Sequence, residues 1–381
     1  MGRRGFIWLL AFVSLLIAFF GGFELHSRPV QGPGAAQAAT IRQQVVRALQ
    51  QSYYLPLSKA ALHARGVRGV LHALHDPYTR YLSPHAYQLV VTEEESRYVG
   101  VGLAVERGVG DLRVTATLPG YPAAVAGIRA GDTITRIGSV PLRKIRYARA
   151  ADMLQGPAGS HVTLVVHDRG SARSVTLRRA VVDLPNVYTR NIHYNGRVYT
   201  YLRLPGIVRG VGSRVRAVAE QASSKHRAGL ILDLRGDGGG LLDEAISVAD
   251  VFQDSGVVVA IHGLHQPTHI YSADDQAVAN LPLVVLVDAT TASAAEVVAG
   301  SLQRAHRAIV VGTRSFGKGT VQALRPLTGG GALKLTVAVY TLAGGERVNQ
   351  RGIRPNVRAV NRPGTRADEV LRAGLRVLAT G

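Results

Sequence analysis

The 381 residues contain no cysteine. Disulfides, thiolate metal sites and a cysteine nucleophile are thereby excluded; the compartment is not decided by this. Acidic residues are scarce, with 25 Asp and Glu against 45 Lys and Arg, a formal charge of +20. Such a surplus suits nucleic acid as a partner. Yet the chain has no dense basic run, no basic patch interleaved with aromatics and no recognisable nucleic-acid module. The charge therefore points to an anionic membrane surface or to the protein's surroundings, and no nucleic-acid partner is expected. A GxSxG elbow is also missing. A Ser–His–Asp triad built from distant residues would leave no local mark, so the thirteen histidines are not excluded from one.

What is present is apolar: 46% of the residues, enough for more than one core in a chain of two or three domains. Met1 to Arg4 carries two arginines, and Gly5 to Phe23 is almost wholly apolar. That run can span a bilayer as a helix, with the basic end inside and the remainder exported. A cleaved signal peptide is the rival reading, with small residues at Ala35 to Ala39 for cleavage. Residues 1–25 are thus expected to be a transmembrane anchor or signal segment and 26–39 a linker. On either reading the rest belongs to the cell envelope, periplasmic or extracytoplasmic, anchored to the inner membrane or secreted.

Residues 40–95 read as a helical region, with Ile41, Val45, Leu49, Val67, Val70 and Leu74 at helical spacing, interrupted by Pro56. Asp76–Pro77 and Pro84 break the pattern around the segment HDPYTRYLSP. Residues 96–180 form a unit of short strands near 99–105, 112–116, 133–137, 162–166 and 174–177. Residues 181–360 alternate strand and helix, an α/β arrangement. There Leu230 to Leu234 reads as a buried strand, Gly236 to Gly240 as a flexible turn, and Leu241 to Phe252 as an amphipathic helix. Residues 361–381 hold a final helix.

Within the α/β part, residues 283–322 concentrate chemistry. Leu283 to Val287 reads as a buried strand, and helix-favouring residues begin at Ala294, so Ser293 stands on a strand-to-helix turn. A later loop carries Lys318 between Gly317 and Gly319, with Gln322 four residues beyond. A serine so placed and a glycine-flanked lysine suit a Ser–Lys nucleophilic pair. They equally suit an N-cap and a solvated loop charge.

The segment LPGYPAAVAGIRAGDTITRIGSVPL, 118–142, resembles a PDZ domain. Such domains pair a peptide with a sheet edge and take its terminal carboxylate in a loop of backbone amides. The resemblance implies that Val99, Gly100, Val101 and Gly102 form that loop, that Leu103 opens the edge strand, and that Arg146 to Leu154 is the helix across the groove. Taken in order, DPYTRYLSP, the PDZ-like segment, LDLRGDGGGLL, TASAAE, SFGKGTVQ and RGIRPNV resemble the C-terminal processing (tail-specific) serine peptidases over residues 40–360. The family implies a crotonase/ClpP-like α/β core with an inserted PDZ domain. It implies a serine endopeptidase that needs no cofactor and no metal, acting on proteins with accessible C-terminal tails, and it leaves open a homodimer through the N-terminal helices.

By motif Ser293 matches the nucleophile, Lys318 the general base and Gln322 the residue that orients it. The amides of Gly239 and Ala294 match the oxyanion donors. A lysine base must be neutral, so the site has to be closed and apolar. Lys318 and Gln322 would share one face of a strand. The family's usual LRxNPGG turn departs here to Asp237 and Gly238, and Asp237 adds negative charge near the oxyanion if it points inward. Asn356 stands where the family often has aspartate. Elsewhere, His262, His265 and His269 in HGLHQPTH read as a solvated loop rather than a metal site. Glu296 reads as a structural partner, Asp288 as a turn residue, and Asp233 with Arg235 as a structural pair.

Overall fold

The computed structural model describes residues 35–380 apart from 169, 170, 276, 279, 363, 365 and 366. The expected anchor or signal segment, 1–25, lies outside the described residues. Among the described residues no helix is long and apolar enough to cross a membrane. They fall into two compact units. One is Ser96–Pro185; the other joins residues 35–95 to 186–380.

The chain opens with α1 (Ala35–Ser52), α2 (Lys59–His63) and α3 (Gly66–His72). Helix α1 begins inside the stretch expected to be linker, because AAQAA has the strongest helix former at four of five positions. Ile41, Val45 and Leu49 line its buried face against Val70. Then come the short strand β1 (Arg80–Leu82) and α4 (Pro84–Glu94). Ser83 caps α4 by accepting the Ala86 N–H, and Pro84 occupies its first turn, where no amide is missed.

The 96–185 unit contains β2 (Arg97–Gly100), β3 (Leu103–Arg107), β4 (Leu112–Thr117), α5 (Pro122–Val125), β5 (Thr133–Ile137), β6 (Val140–Pro141), α6 (Tyr147–Leu154), β7 (His161–Asp168), β8 (Ser171–Arg178) and β9 (Ala180–Asp183). The sheet runs β3-β4-β5-β7-β8, with β6 on β5, so β3 is an edge. Alternate residues Ile134, Leu164 and Val166 meet Ala150 and Leu154 of α6 in the core. A separate ribbon pairs β2 with β9, placing Val99 opposite Val181 and Gly100 opposite Ala180.

The remaining elements are β10 (Tyr188–Tyr194), β11 (Arg197–Arg203), α7 (Val211–Ser224), β12 (Leu230–Asp233), α8 (Leu242–Asp250), β13 (Val257–Gly263), β14 (Gln266–Ser272), β15 (Leu283–Val287), α9 (Ala294–Arg304), β16 (Ile309–Gly312), β17 (Thr320–Pro326), β18 (Ala332–Leu342), β19 (Glu346–Arg347), β20 (Val357–Arg358) and α10 (Glu369–Thr380). One sheet runs β10-β11-β12-β15-β16-β20. It is parallel except for the β10–β11 hairpin. Both faces are covered. Leu230, Leu232, Leu283, Val285 and Val287 pack toward α7, α8 and α9. Ile231, Val284 and Leu286 pack toward Val370, Leu371 and Leu375 of α10. Burial on both sides explains why these strands read as unbroken apolar runs rather than alternating ones.

The second sheet centres on β18, which pairs with β1, β13, β17 and β19, while β14 pairs with β13. The HGLHQPTH segment is therefore a hairpin and not a loop. Residues 263–266 turn it, and β14 is exposed along its whole length. The ring nitrogens of His262 are engaged with Thr268 and Thr341.

Candidate active site

The turn after β15 is tied down before it reaches Ser293. Asp288 Oδ1 accepts the N–H groups of Thr290 and Thr291 at 2.9 and 3.0 Å. The Thr291 hydroxyl donates to the Leu234 carbonyl, and the Ala292 N–H to that of Asp237. Ser293 then adopts φ 56°, ψ −122°. A non-glycine residue at positive φ costs of order 1–3 kcal/mol and persists only where its surroundings over-determine it. Here the Glu296 carboxylate accepts the Ser293 N–H at 2.8 Å, and the Ser293 carbonyl accepts from Glu296, Val297 and the Tyr340 hydroxyl. Helix α9 starts at once, and the Ala294 N–H, in its first turn, has no hydrogen-bond partner among the described residues.

Glu296 has no exposed surface. Besides the Ser293 N–H, its oxygens accept the Ser315 hydroxyl at 2.5 Å, the Gly317 N–H at 2.7 Å and the Lys318 N–H at 2.9 Å. One carboxylate thus fixes the serine turn and the lysine loop together, with charge-assisted bonds to both. The Tyr340 hydroxyl stands 3.0 Å from the Ser293 carbonyl and 2.9 Å from that of Lys318, sharing its proton between them. Beside the lysine, a Cβ on Gly319 would fall 2.3 Å from the Asn349 nitrogen, so only glycine fits there.

The Lys318 Nζ sits 5.3 Å from the centre of the Tyr78 ring and donates no hydrogen bond among the described residues. Burial brings its pKa down to about 8, helped by the positive charges of Lys334 and Arg80 and opposed by Glu296 and Asp76. Tyr78 is held by Asp76, whose carboxylate accepts the Tyr78 N–H and the Thr79 hydroxyl.

Gln322 is not bonded to Lys318. Its amide donates to the Thr320 hydroxyl at 2.8 Å. The simple strand alternation that would align the two fails because Lys318 precedes β17 and the β17–β18 register shifts between Val321 and Gln322.

Gly239 lies against the serine turn: a Cβ added to it would meet the Ala292 oxygen at 2.7 Å, Ser293 Cβ at 2.8 Å and the Ala294 nitrogen at 2.9 Å. Its φ of 95° also calls for glycine. Its N–H donates to Asp237 Oδ1 at 2.8 Å. Asp237 is fully buried, and its other oxygen has no partner among the described residues. Burial, aided by Asp288, pushes this carboxyl well above the usual range against the opposing pull of the Gly239 bond and Arg203. Next along, Arg235 forks onto Asp233 and Asp368, and the Tyr201 hydroxyl donates to Asp233.

In the 96–185 unit, Val99 and Gly100 do not belong to an open loop, because β2 is paired along its length with β9. Only Val101 and Gly102 separate β2 from β3. The Val101 carbonyl accepts the Ala123 N–H, and the Gly102 carbonyl accepts that of Leu118. Leu103 opens the edge strand, and Tyr147 of α6 donates its hydroxyl to the Val105 carbonyl at 2.8 Å.

Tyr78, Tyr340 and the four-bond role of Glu296 were not anticipated from sequence. The pair Asp76–Pro77 before an aromatic was the only local trace of the first; the other two depend on strand register, which leaves no local trace.

Comparison with known proteins accords with this geometry. Residues 199–359 match the family described as Peptidase family S41, and residues 113–167 match a PDZ domain. The C-terminal processing peptidase of the Tetradesmus obliquus chloroplast is 34% identical over 323 residues, spanning 79% of this chain and 69% of that protein. A carboxyl-terminal-processing protease from a Picosynechococcus strain is 35% identical over 291 residues, 75% of this chain and 70% of its own. Among solved structures, the photosystem II D1 C-terminal processing protease superposes with a TM-score of 0.54 at 30% identity, covering 89% of this chain and 96% of that one.

Proposed function

Because the chain belongs to the C-terminal processing peptidases of family S41, serine proteases that carry a PDZ domain, we propose that Ser293 is its nucleophile and Lys318 the general base. The observation that carries this is the Glu296 carboxylate, which receives the backbone N–H of both residues. Neutral Lys318 takes the Ser293 hydroxyl proton as Oγ bonds to the scissile carbonyl carbon. The tetrahedral oxyanion is received by the Ala294 N–H, at the positive end of α9, and by the Gly239 N–H. Collapse breaks the C–N bond, and the Lys318 ammonium gives its proton to the leaving amine. Water then hydrolyses the acyl-enzyme by the same proton path. Lysine suits this role because its pKa is already lowered to about 8 in the resting protein. Gln322, proposed to orient the amine, is held by the Thr320 hydroxyl in this structure and would have to leave it to do so.

The PDZ unit recruits the C-terminal tail of a protein substrate along the β3 edge, with Val101 and Gly102 at its carboxylate. The apolar N-terminal stretch keeps the enzyme at the cell envelope, anchored or exported. Hydrolysis of a quenched fluorogenic peptide with a free C-terminus tests the core assignment. Ser293→Ala and Lys318→Ala are expected to abolish turnover, and full turnover in either rejects it. Deleting residues 96–185 while keeping Ser293 is expected to raise KM for tailed substrates more than for short peptides.

A further inference from the structure

The turn that should supply an oxyanion donor is occupied. The Gly239 N–H, packed on Ser293 and Ala294, is already bonded to Asp237 Oδ1. The carboxyl that holds it has no exposed surface and a second oxygen with no partner. A carboxylate is an unusual choice for that place. It accepts strongly from the amide, and its negative charge opposes the negative charge that develops on the reacting carbonyl oxygen.

We propose that Asp237 is a titratable positioning residue of the peptidase, its carboxylate withholding the Gly239 N–H from the oxyanion and its protonated form releasing it. This rests on the assignment of Ser293 and Lys318 made above. Protonation would fall on the unpartnered Oδ2, leaving Oδ1 a weaker, neutral acceptor that the reacting oxygen can outcompete.

Charges of both signs act on Asp237. Arg203, on β11, is the cation acting on it, and among the described residues the buried Arg203 Nε has no partner either. Tyr188, opposite Arg203 on β10, also buries its hydroxyl without a partner among the described residues. Asp288, beyond β15, is the anion acting on it. On its own segment the Arg235 fork is taken by Asp233 and Asp368, and across the turn Glu296 is taken by its four donors, so none of these neutralises Asp237 directly. Burial drives the carboxyl toward its neutral form, as it does for any unpaired acid inside a protein. The sign follows: because the pKa is raised, the active neutral form prevails at lower pH and is lost as pH rises through it.

The test is the pH dependence of kcat for wild type and Asp237→Asn on the fluorogenic peptide. Asparagine keeps the shape and a neutral acceptor and cannot ionise. Deprotonation of Lys318 affects both proteins alike and cancels in the ratio of their kcat values. That ratio is expected to climb about tenfold for each unit by which pH exceeds the Asp237 pKa, a barrier difference of about 1.4 kcal/mol per unit, with KM moving little. A ratio that stays flat from about pH 6 to 10 overturns the proposal. Should Asp237→Asn fail to fold, as judged by circular dichroism, Asp237→Ala gives the same reading, because it too leaves nothing to ionise. Full activity in Ser293→Ala would instead sink the catalytic assignment itself, whereas an inactive Ser293→Ala with a flat ratio removes only the role of Asp237.

Discussion

The backbone N–H groups of Ser293 and Lys318 converge on a single oxygen, Oε2 of Glu296, at 2.8 and 2.9 Å. Neither side chain takes part in this link. The two groups proposed to exchange a proton are therefore registered through their main chains, and the side chains remain free for chemistry.

Replacing that oxygen should be severe. Glu296→Gln puts an NH2 group against N–H donors that need an acceptor. The buried donors left unmatched should cost about 2–4 kcal/mol of stability. Turnover should fall by about a hundredfold or more, since misplacement of catalytic groups by an ångström has that effect. Thermal melts and kcat on the same protein measure both losses.

The acid side of the pH profile tests Lys318 as the proposed base. Its pKa is lowered to about 8 by burial and by Lys334 and Arg80. With Lys318 as the proposed base its neutral amine is the active form, so kcat/KM of Asp237→Asn, in which the ionisation of residue 237 is removed, should rise with pH through about 8, with roughly a tenth of the molecules carrying the neutral amine at pH 7. Lys318→Arg should be inactive at every pH, because a guanidinium stays charged. A profile of Asp237→Asn that is flat across that range would contradict a lysine base.

Two neighbouring glycines should behave differently. Gly239→Ala places a Cβ within 2.9 Å of three atoms of the serine turn, in a backbone conformation with φ of 95°. It should reduce kcat by about a hundredfold, the effect of losing one oxyanion donor. A Cβ on Gly238 meets nothing within 4 Å. Gly238→Ala should keep kcat within about threefold and lose well under 1 kcal/mol of stability. Parallel kinetics of the two variants make the comparison.

Arg235 holds the β12 end to the final helix. Its guanidinium bonds Asp233, which has no exposed surface, and Asp368, just ahead of α10. Arg235→Ala leaves the Asp233 charge buried and unpaired, which should cost about 3–5 kcal/mol. Asp368→Asn, at the more exposed end, should cost about 1 kcal/mol. Chemical denaturation of both variants gives the difference.

Much of this site is legible in sequence because its parts are local. The LVVLV run, the turn before Ala294 and the GDGGG segment each announce themselves within a few residues, since a doubly covered parallel strand must be apolar throughout and a close approach must be glycine. The parts that are not legible come from register between distant strands. Tyr340 reaches both carbonyls only through the position of β18, Tyr78 reaches Lys318 only once β1 has paired with β18, and a bulge turns Gln322 toward Thr320. Likewise the pairing of Val99 and Gly100 with β9 depends on residues 180–183, far along the chain.

The ring of Tyr78 that faces Lys318 comes from before the inserted PDZ unit, and the lysine from after it. During synthesis the ribosome delivers Tyr78 first, then the whole insertion, then Ser293, and Lys318 only after that. The contact between the Lys318 amine and the Tyr78 ring therefore forms only after both flanks of the 96–185 unit have been made.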